Sequence, residues 1–491
     1  MVERNIWMIY YFTYFILIGV SMRKHIMTAA LAALFSSGLH AWEIEGATRL
    51  DVHQLKAAIE SIQDPQQAGQ RIADLYREAG FLSIVVRVDP DHGSIRVIEA
   101  PIRASGSYAD YIESGVVLSR DAIELASARM RTAARFNGER VDLRLSKIDS
   151  DGYLGLFAQG EPVAESDQSG GNVIFSTLGQ RYSGPDVLTA YGWANVGDAQ
   201  QLDASVSHAF SDWREDSRDG RFNNLTLGYR KASPWGLTSV QVMHSRYKTG
   251  GEAALIDAGG TVTRMNMDHS YLFTPTFEAT ARLSWVDNEQ EIGVLDWTDR
   301  QRFTALTLSG RQNFAFEGMT AMIEASIERG LSGTRSVSDY PLMGEFDPHF
   351  NVVSARAQVS RSFGSGWQST LKLGAQSGSD GTPSASQFYL GGPDRGRSYN
   401  TGYVAMPDGH FAALSLNGPT FHDVTPYMGL EYAKGKPIVG DDRTARSAYV
   451  GAYWRIQDRF GIDLSYAHAL GEHDDPTGHR GRWLINASGA F

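Results

Sequence analysis

Residues 388–403 read FYLGGPDRGRSYNTGY, a knot of glycines, arginines and aromatic rings. A glycine-rich loop beside guanidinium groups could cradle a phosphate. It could equally be a surface turn. The cradle needs a helix opening after the loop and a phosphate-binding lysine. Here LGGPDRGRS follows an extended segment, opens no helix, and has no such lysine. A second cluster, His473, Asp474, Asp475 and His479, has the donor types of a divalent-metal site. Its place between the last two predicted strands reads instead as a polar, solvated loop. Cysteine is absent, so thiol nucleophiles, disulfides and cysteine-ligated metals are excluded. No Ser/His/Asp group sits in a catalytic context. The expectation is a chain with no catalytic residues, no cofactor and no metal.

The chain as a whole narrows the class. Net charge is −11 over 491 residues, and the sequence pI is about 5.6. Nucleic-acid binding needs a basic footprint and is not expected. Mean hydropathy of −0.27 excludes a polytopic helical membrane protein. It does not exclude a membrane β-barrel, which hides apolar side chains at every second position.

The N-terminus has two layers. Residues 6–20, IWMIYYFTYFILIGV, are apolar but shorter than the ~20 residues of a membrane-spanning helix. From Met22 the chain reads basic (Arg23, Lys24), then apolar (Ile26 to Phe35), then small and polar up to Ala41. That is the layout of a secretory signal. The expectation is a targeting segment over 1–41, with translation starting at Met22 and a signal peptide over 22–41.

Residues 42–103 predict a small α+β unit. Asp51 can cap a helix carrying Leu55, Ile59 and Ile62. Pro65 breaks it, and a second helix places Ile72, Leu75 and Tyr76 on one face. Gly80 lies where a left-handed cap belongs. Ile84 to Val88 and Ser94 to Glu99 form a hairpin around Asp91-His92-Gly93. Residues 104–165 repeat the order: a helix from Ser119 to Ala134, then strands Val141–Leu145 and Tyr153–Ala158.

From about residue 170 the period changes to two. Phe277, Ala279, Ala281, Leu283 and Trp285 alternate with polar residues, as do Met319 to Ile327, Val353 to Val359 and Ile462 to Tyr466. At roughly 20 residues per strand and connection, residues 170–491 hold about 16 strands. No amphipathic helix covers them. The chain ends on Trp483, Ile485, Ala487, Gly489 and Phe491. An alternating last strand that ends on Phe resembles the assembly signal of bacterial outer-membrane barrels. A charge on the lipid face costs about 2–4 kcal/mol at mid-membrane, so the alternating polar residues must face a wet or plugged lumen. The fold expected is a transmembrane antiparallel β-barrel of about 16 strands behind two small α+β domains.

This order resembles the outer-membrane transporters of two-partner secretion, the haemolysin secretion/activation type, within the POTRA-barrel superfamily. Ile44-Glu45-Gly46-Ala47-Thr48 is similar to the stretch that opens the family's first POTRA domain. Tyr76-Arg77-Glu78-Ala79-Gly80-Phe81 matches its "Y-x-x-A-G-Y" pattern. Gly93 through Ile102 resembles its hairpin, with Ala100-Pro101 in place of the usual Gly. Leu390-Gly391-Gly392 and Arg397-Ser398-Tyr399 are similar to the superfamily's "I-G-G … V-R-G-Y" motif, carried on a loop folded into the barrel. Ser398 stands where glycine is usual, and serine takes positive φ less readily. Tyr427 to Ala433 resembles the "G-L-D-Y-G" strand that pairs with the motif's arginine, with Glu431 for Asp.

The resemblance implies a function. Two periplasmic POTRA-like domains (42–103 and 104–165) would bind an unfolded partner, with Gly46, Tyr76, Gly80, Phe81 and Ile84 carrying the match. A barrel in the outer membrane of a Gram-negative bacterium would then pass a large adhesin- or haemolysin-like exoprotein outward without nucleotide hydrolysis. The loop around 388–410 would plug and guide, anchored by Arg397 on Glu431. Outer-membrane lipid and the barrel-assembly machinery are the other partners implied. The family's N-terminal plug helix is expected to be short or missing. A barrel insertase of the same superfamily and a passive porin are the alternatives. The physical logic supports an anchor: an inward loop must be held, and a guanidinium fork on a carboxylate holds it.

Overall fold

The fold is that of a computed structural model, which describes residues 42–164, 167–338, 346–438, 440–457, 459–471 and 480–491. Both the N-terminal targeting segment and the His473–His479 cluster lie outside them. The described chain falls into two compact units: residues up to Leu75 with Val86–Ile98, and Tyr76–Val85 with Glu99–Phe491.

In the smaller unit, strand β1 (Glu43–Glu45) pairs in parallel with β3 (Ser94–Glu99). The full sheet order is β1-β3-β2, where β2 is Ile84–Asp89. Helix α1 (Val52–Ile59) is capped by Asp51, whose carboxylate accepts from His53 N–H at 3.0 Å. Pro65 does not break this helix. It opens α2 (Pro65–Glu78) at the first position, where its missing N–H costs nothing, and Asp64 accepts from Gln66 N–H. Leu55, Ile59, Ala68, Ile72, Ile95 and Val97 are buried.

The larger unit opens with a second three-stranded sheet, order β4-β6-β5, from Ile102–Ser105, Leu154–Pro162 and Glu139–Ile148. Helix α3 (Arg120–Asn137) covers it. Ser119 caps its start and Gly138, at φ 67°, ends it in the left-handed region. The core of Ile102, Leu118, Met130, Phe136 and Leu156 continues into Ala199 and Ala232 of the barrel.

Sixteen antiparallel strands then close into a barrel. They are β7 (Ser169–Ser176) through β17 (Gln368–Gly378), and β20 (Asp408–Asn417) through β24 (Gly481–Ala490). The alternation read from sequence fixes the faces. Leu225, Leu227, Met265, Met267, Leu283 and Trp285 are exposed on the outside, while Asn288, Gln301 and Glu431 are buried on the inside. No helix among the described residues is long and apolar enough to cross a membrane. Pairing is longest between β14 (Trp297–Phe316) and β15 (Met319–Val337). It is shortest at closure, where β24 meets β7 only from Asn486↔Ser176 to Ala490↔Asn172. There Phe491 and Gly171 exchange two backbone hydrogen bonds of 3.0 Å. Trp483 and Ile485 face outward on the same strand.

Candidate functional site

Between β17 and β20 the chain does not turn directly. It forms a hairpin of β18 (Phe388–Leu390) and β19 (Val404–Met406) that belongs to a separate two-stranded sheet. Phe388, Leu390, Tyr399 and Met406 pack on Ala433, Ala445 and Ala469 of the barrel wall. Small wall residues make room for it. A Cβ at Gly435 would meet Met406 Sδ, and one at Gly409 would meet the Phe388 ring.

The tip runs from Gly391 to Tyr403. Gly391 has φ +84°, and a Cβ there would collide with the carbonyl oxygen of Asn400. Only glycine fits that turn. Gly392 shares the same φ.

Strand β21 (Val424–Lys436) places Glu431 inward, directly opposite Ser447 on β22 (Arg443–Ile456). Arg397 Nε–H donates to Glu431 Oε1 at 3.2 Å. The same carboxylate accepts three backbone N–H groups of the tip: Asp394 at 3.0 Å, Gly396 at 3.3 Å and Arg397 at 2.5 Å. Its side chain is 0% exposed and that of Arg397 17%. The pair is therefore largely shielded from solvent, as in a plugged rather than a wet lumen. The Arg397 guanidinium also lies 3.9 Å from the centroid of the Tyr449 ring, a cation–π contact.

Ser398 departs from the expectation drawn from the motif. It is not among the residues with positive φ, so no glycine is needed there. Its N–H donates to Ser447 Oγ at 3.1 Å, and the two hydroxyls lie 2.6 Å apart. Three further contacts of the tip were not legible beforehand. Lys372 Nζ pairs with Asp394 at 2.9 Å, Arg482 donates to Tyr399 O at 3.2 Å, and Thr401 Oγ–H donates to Leu178 O at 2.7 Å. Only the register of β21 on β22 reveals Ser447. In sequence it is one serine among many.

The candidate residues of the small domains have internal contacts. A Cβ at Gly46, φ +77°, would meet Val97 O. Tyr76 is fully buried, and its hydroxyl donates to Glu99 at 2.7 Å. Its ring meets Phe81 edge-on at 6.0 Å. Gly80, at φ 91°, accepts from Arg120 N–H through its carbonyl. Ile84 begins β2 and is half-buried. Among the described residues no group of His, Asp or Glu is placed to hold a metal ion.

Comparison with known proteins now has a geometry to meet. No protein-family model matches the chain, and no curated protein does. Solved structures do. CdiB from Escherichia coli aligns over 95% of this chain and 93% of its own, with TM-score 0.71 at 17% identity. CdiB from Acinetobacter baumannii aligns over 94% and 91%, with TM-score 0.63 at 14% identity. BamA from Haemophilus ducreyi lacking POTRA domains 1-3 aligns over 91% and 99%, with TM-score 0.53 at 12% identity. The fold is thus the one these three structures share, a closed barrel behind small α+β domains. The likeness in fold extends over nearly the whole chain.

Proposed function

We propose that this chain is an outer-membrane pore that recognises a large exoprotein in the periplasm and passes it to the cell surface without nucleotide hydrolysis. The observation that carries the reading is the hairpin of 388–406, docked inside a closed barrel around a buried carboxylate, Glu431. A passive porin would explain the barrel but not the α+β domains of residues 42–165. A pore for a polypeptide needs a plug that is held shut and can be released. The two α+β domains are periplasmic in this reading. They take extended segments of the partner by strand addition at a sheet edge. Folding of the partner outside supplies the direction of transport.

The likeness to BamA and the short β24–β7 seam favour a second reading, a factor that inserts other barrels into the membrane. One experiment separates the two. The chain is expressed in an outer-membrane host with and without any large exoprotein encoded beside it. A transporter puts the exoprotein outside the cell and leaves other barrels at normal levels. An insertase alters those levels and leaves the exoprotein inside.

A further inference from the structure

The inward hairpin has two attachments: its tip on Glu431 and Ser447 of β21 and β22, and its base on a run of strands that begins at β12 (Ala258–Leu272). Before it turns back to Glu431, the loop reaches across the lumen at Ser384, Ala385 and Ser386. There four strands converge on it. Arg264 of β12 donates to Ala385 O at 3.1 Å. Asn288 of β13 (Phe277–Ile292) donates to Ser384 Oγ at 3.0 Å. Glu328 of β15 accepts from Ser386 Oγ–H at 2.7 Å, and Gln376 of β17 donates to Ser386 O at 2.9 Å. Ala385 also packs against a buried apolar cluster that includes Phe303 and Phe350. Counted round the sixteen strands, β12 and β22 stand eight apart, which is diametrically opposite.

The two attachments differ in strength. The tip is held by a buried ion pair, three backbone donors and a cation–π contact. The base is held by four single hydrogen bonds, one from the Arg264 guanidinium and one to the Glu328 carboxylate.

We propose that the loop is a strap across the lumen, and that its base, held by Arg264, Asn288 and Glu328, is the point of release. The strap pivots on Glu431 and swings towards the β20–β24 wall, clearing the β12–β15 side for passage. Arg264 is then a positioning residue for gating. The inference deepens the transport reading and rests on it for its purpose, though not for its test.

The test uses the absence of native cysteine. In the full chain, Ser386→Cys with Glu328→Cys lets the base be locked by a bis-maleimide with a reducible spacer. Purified chain in planar bilayers is expected to lose its large openings when locked and to regain them on reduction. Arg264→Ala removes one charge-assisted hydrogen bond. It is expected to raise the open fraction roughly tenfold, the equivalent of about 1.4 kcal/mol. Equal conductance in the locked and reduced states would overturn the proposal. Conductance is read without any partner, so a failed export assay leaves this result standing.

Discussion

Glu431 holds Arg397 less by its charge than by the backbone around it. One of the four hydrogen bonds to the carboxylate comes from the guanidinium and three come from loop N–H groups. The buried carboxylate is the hub, and the arginine is one of its spokes.

The two partners therefore differ in consequence. Glu431→Ala strands a buried guanidinium and three donors, a loss of about 3–5 kcal/mol of docking. Arg397→Ala leaves three donors on the carboxylate, and costs about 1–3 kcal/mol. Hydrogen exchange at residues 394–398 reads the difference, with the larger loss of protection in Glu431→Ala. The exchanged pair Arg397→Glu with Glu431→Arg is expected not to recover protection, because an arginine at 431 has no acceptor for those N–H groups. Recovery would mean that the ion pair alone carries the dock.

Ser398 and Ser447 form a second, neutral fastening. Ser398→Gly removes one hydroxyl contact and frees the backbone, a loss of about 1 kcal/mol. Ser447→Ala leaves the Ser398 N–H and hydroxyl buried without that acceptor, about 1–3 kcal/mol. The order of protease sensitivity in the loop should be Ser447→Ala, then Ser398→Gly, then the unaltered chain. A more resistant Ser398→Gly chain would show that the usual glycine suits this turn better.

The domain ahead of the barrel is clamped to it. Arg129 of α3 donates to Leu272 O at 2.7 Å and to Tyr271 Oη at 2.6 Å, and its guanidinium lies 4.4 Å from the Tyr271 ring centroid. Arg129→Ala should raise hydrogen exchange across α3 by the equivalent of about 1–3 kcal/mol and leave the barrel strands unchanged. Arg129→Lys should restore little, since one ammonium cannot reproduce the planar fork. Unchanged exchange in α3 would show that the apolar core shared with Ala199 and Ala232 suffices.

Much of this arrangement was legible in the sequence, and the boundary has a physical basis. Period-two alternation such as Phe277 to Trp285 is local, so it gave the strands, their faces and, by length, their number. Arg397 and Glu431 were visible through motif likeness. Pro65 was misread because a proline ends one helix or begins another with equal ease, and only the Asp64 cap decides. Ser398 was misread because the motif's glycine suggested a positive φ that the turn does not use. Arg264, Asn288, Glu328 and Gln376 were invisible. Each is a single polar residue at an inward strand position, as every strand has, and only closure of the barrel brings them to one segment of loop.

The most direct measurement asks whether a polypeptide passes through the lumen. A photo-crosslinking amino acid replaces Arg356, at an inward position of β16 (Asn351–Ser362), or Leu430, exposed on the outer face of β21. Each chain is co-expressed with the candidate exoprotein and irradiated during export. The account predicts an adduct with the exoprotein from position 356 and none from 430. Export without any adduct from the lumen, or adducts only with other barrel proteins, would contradict it.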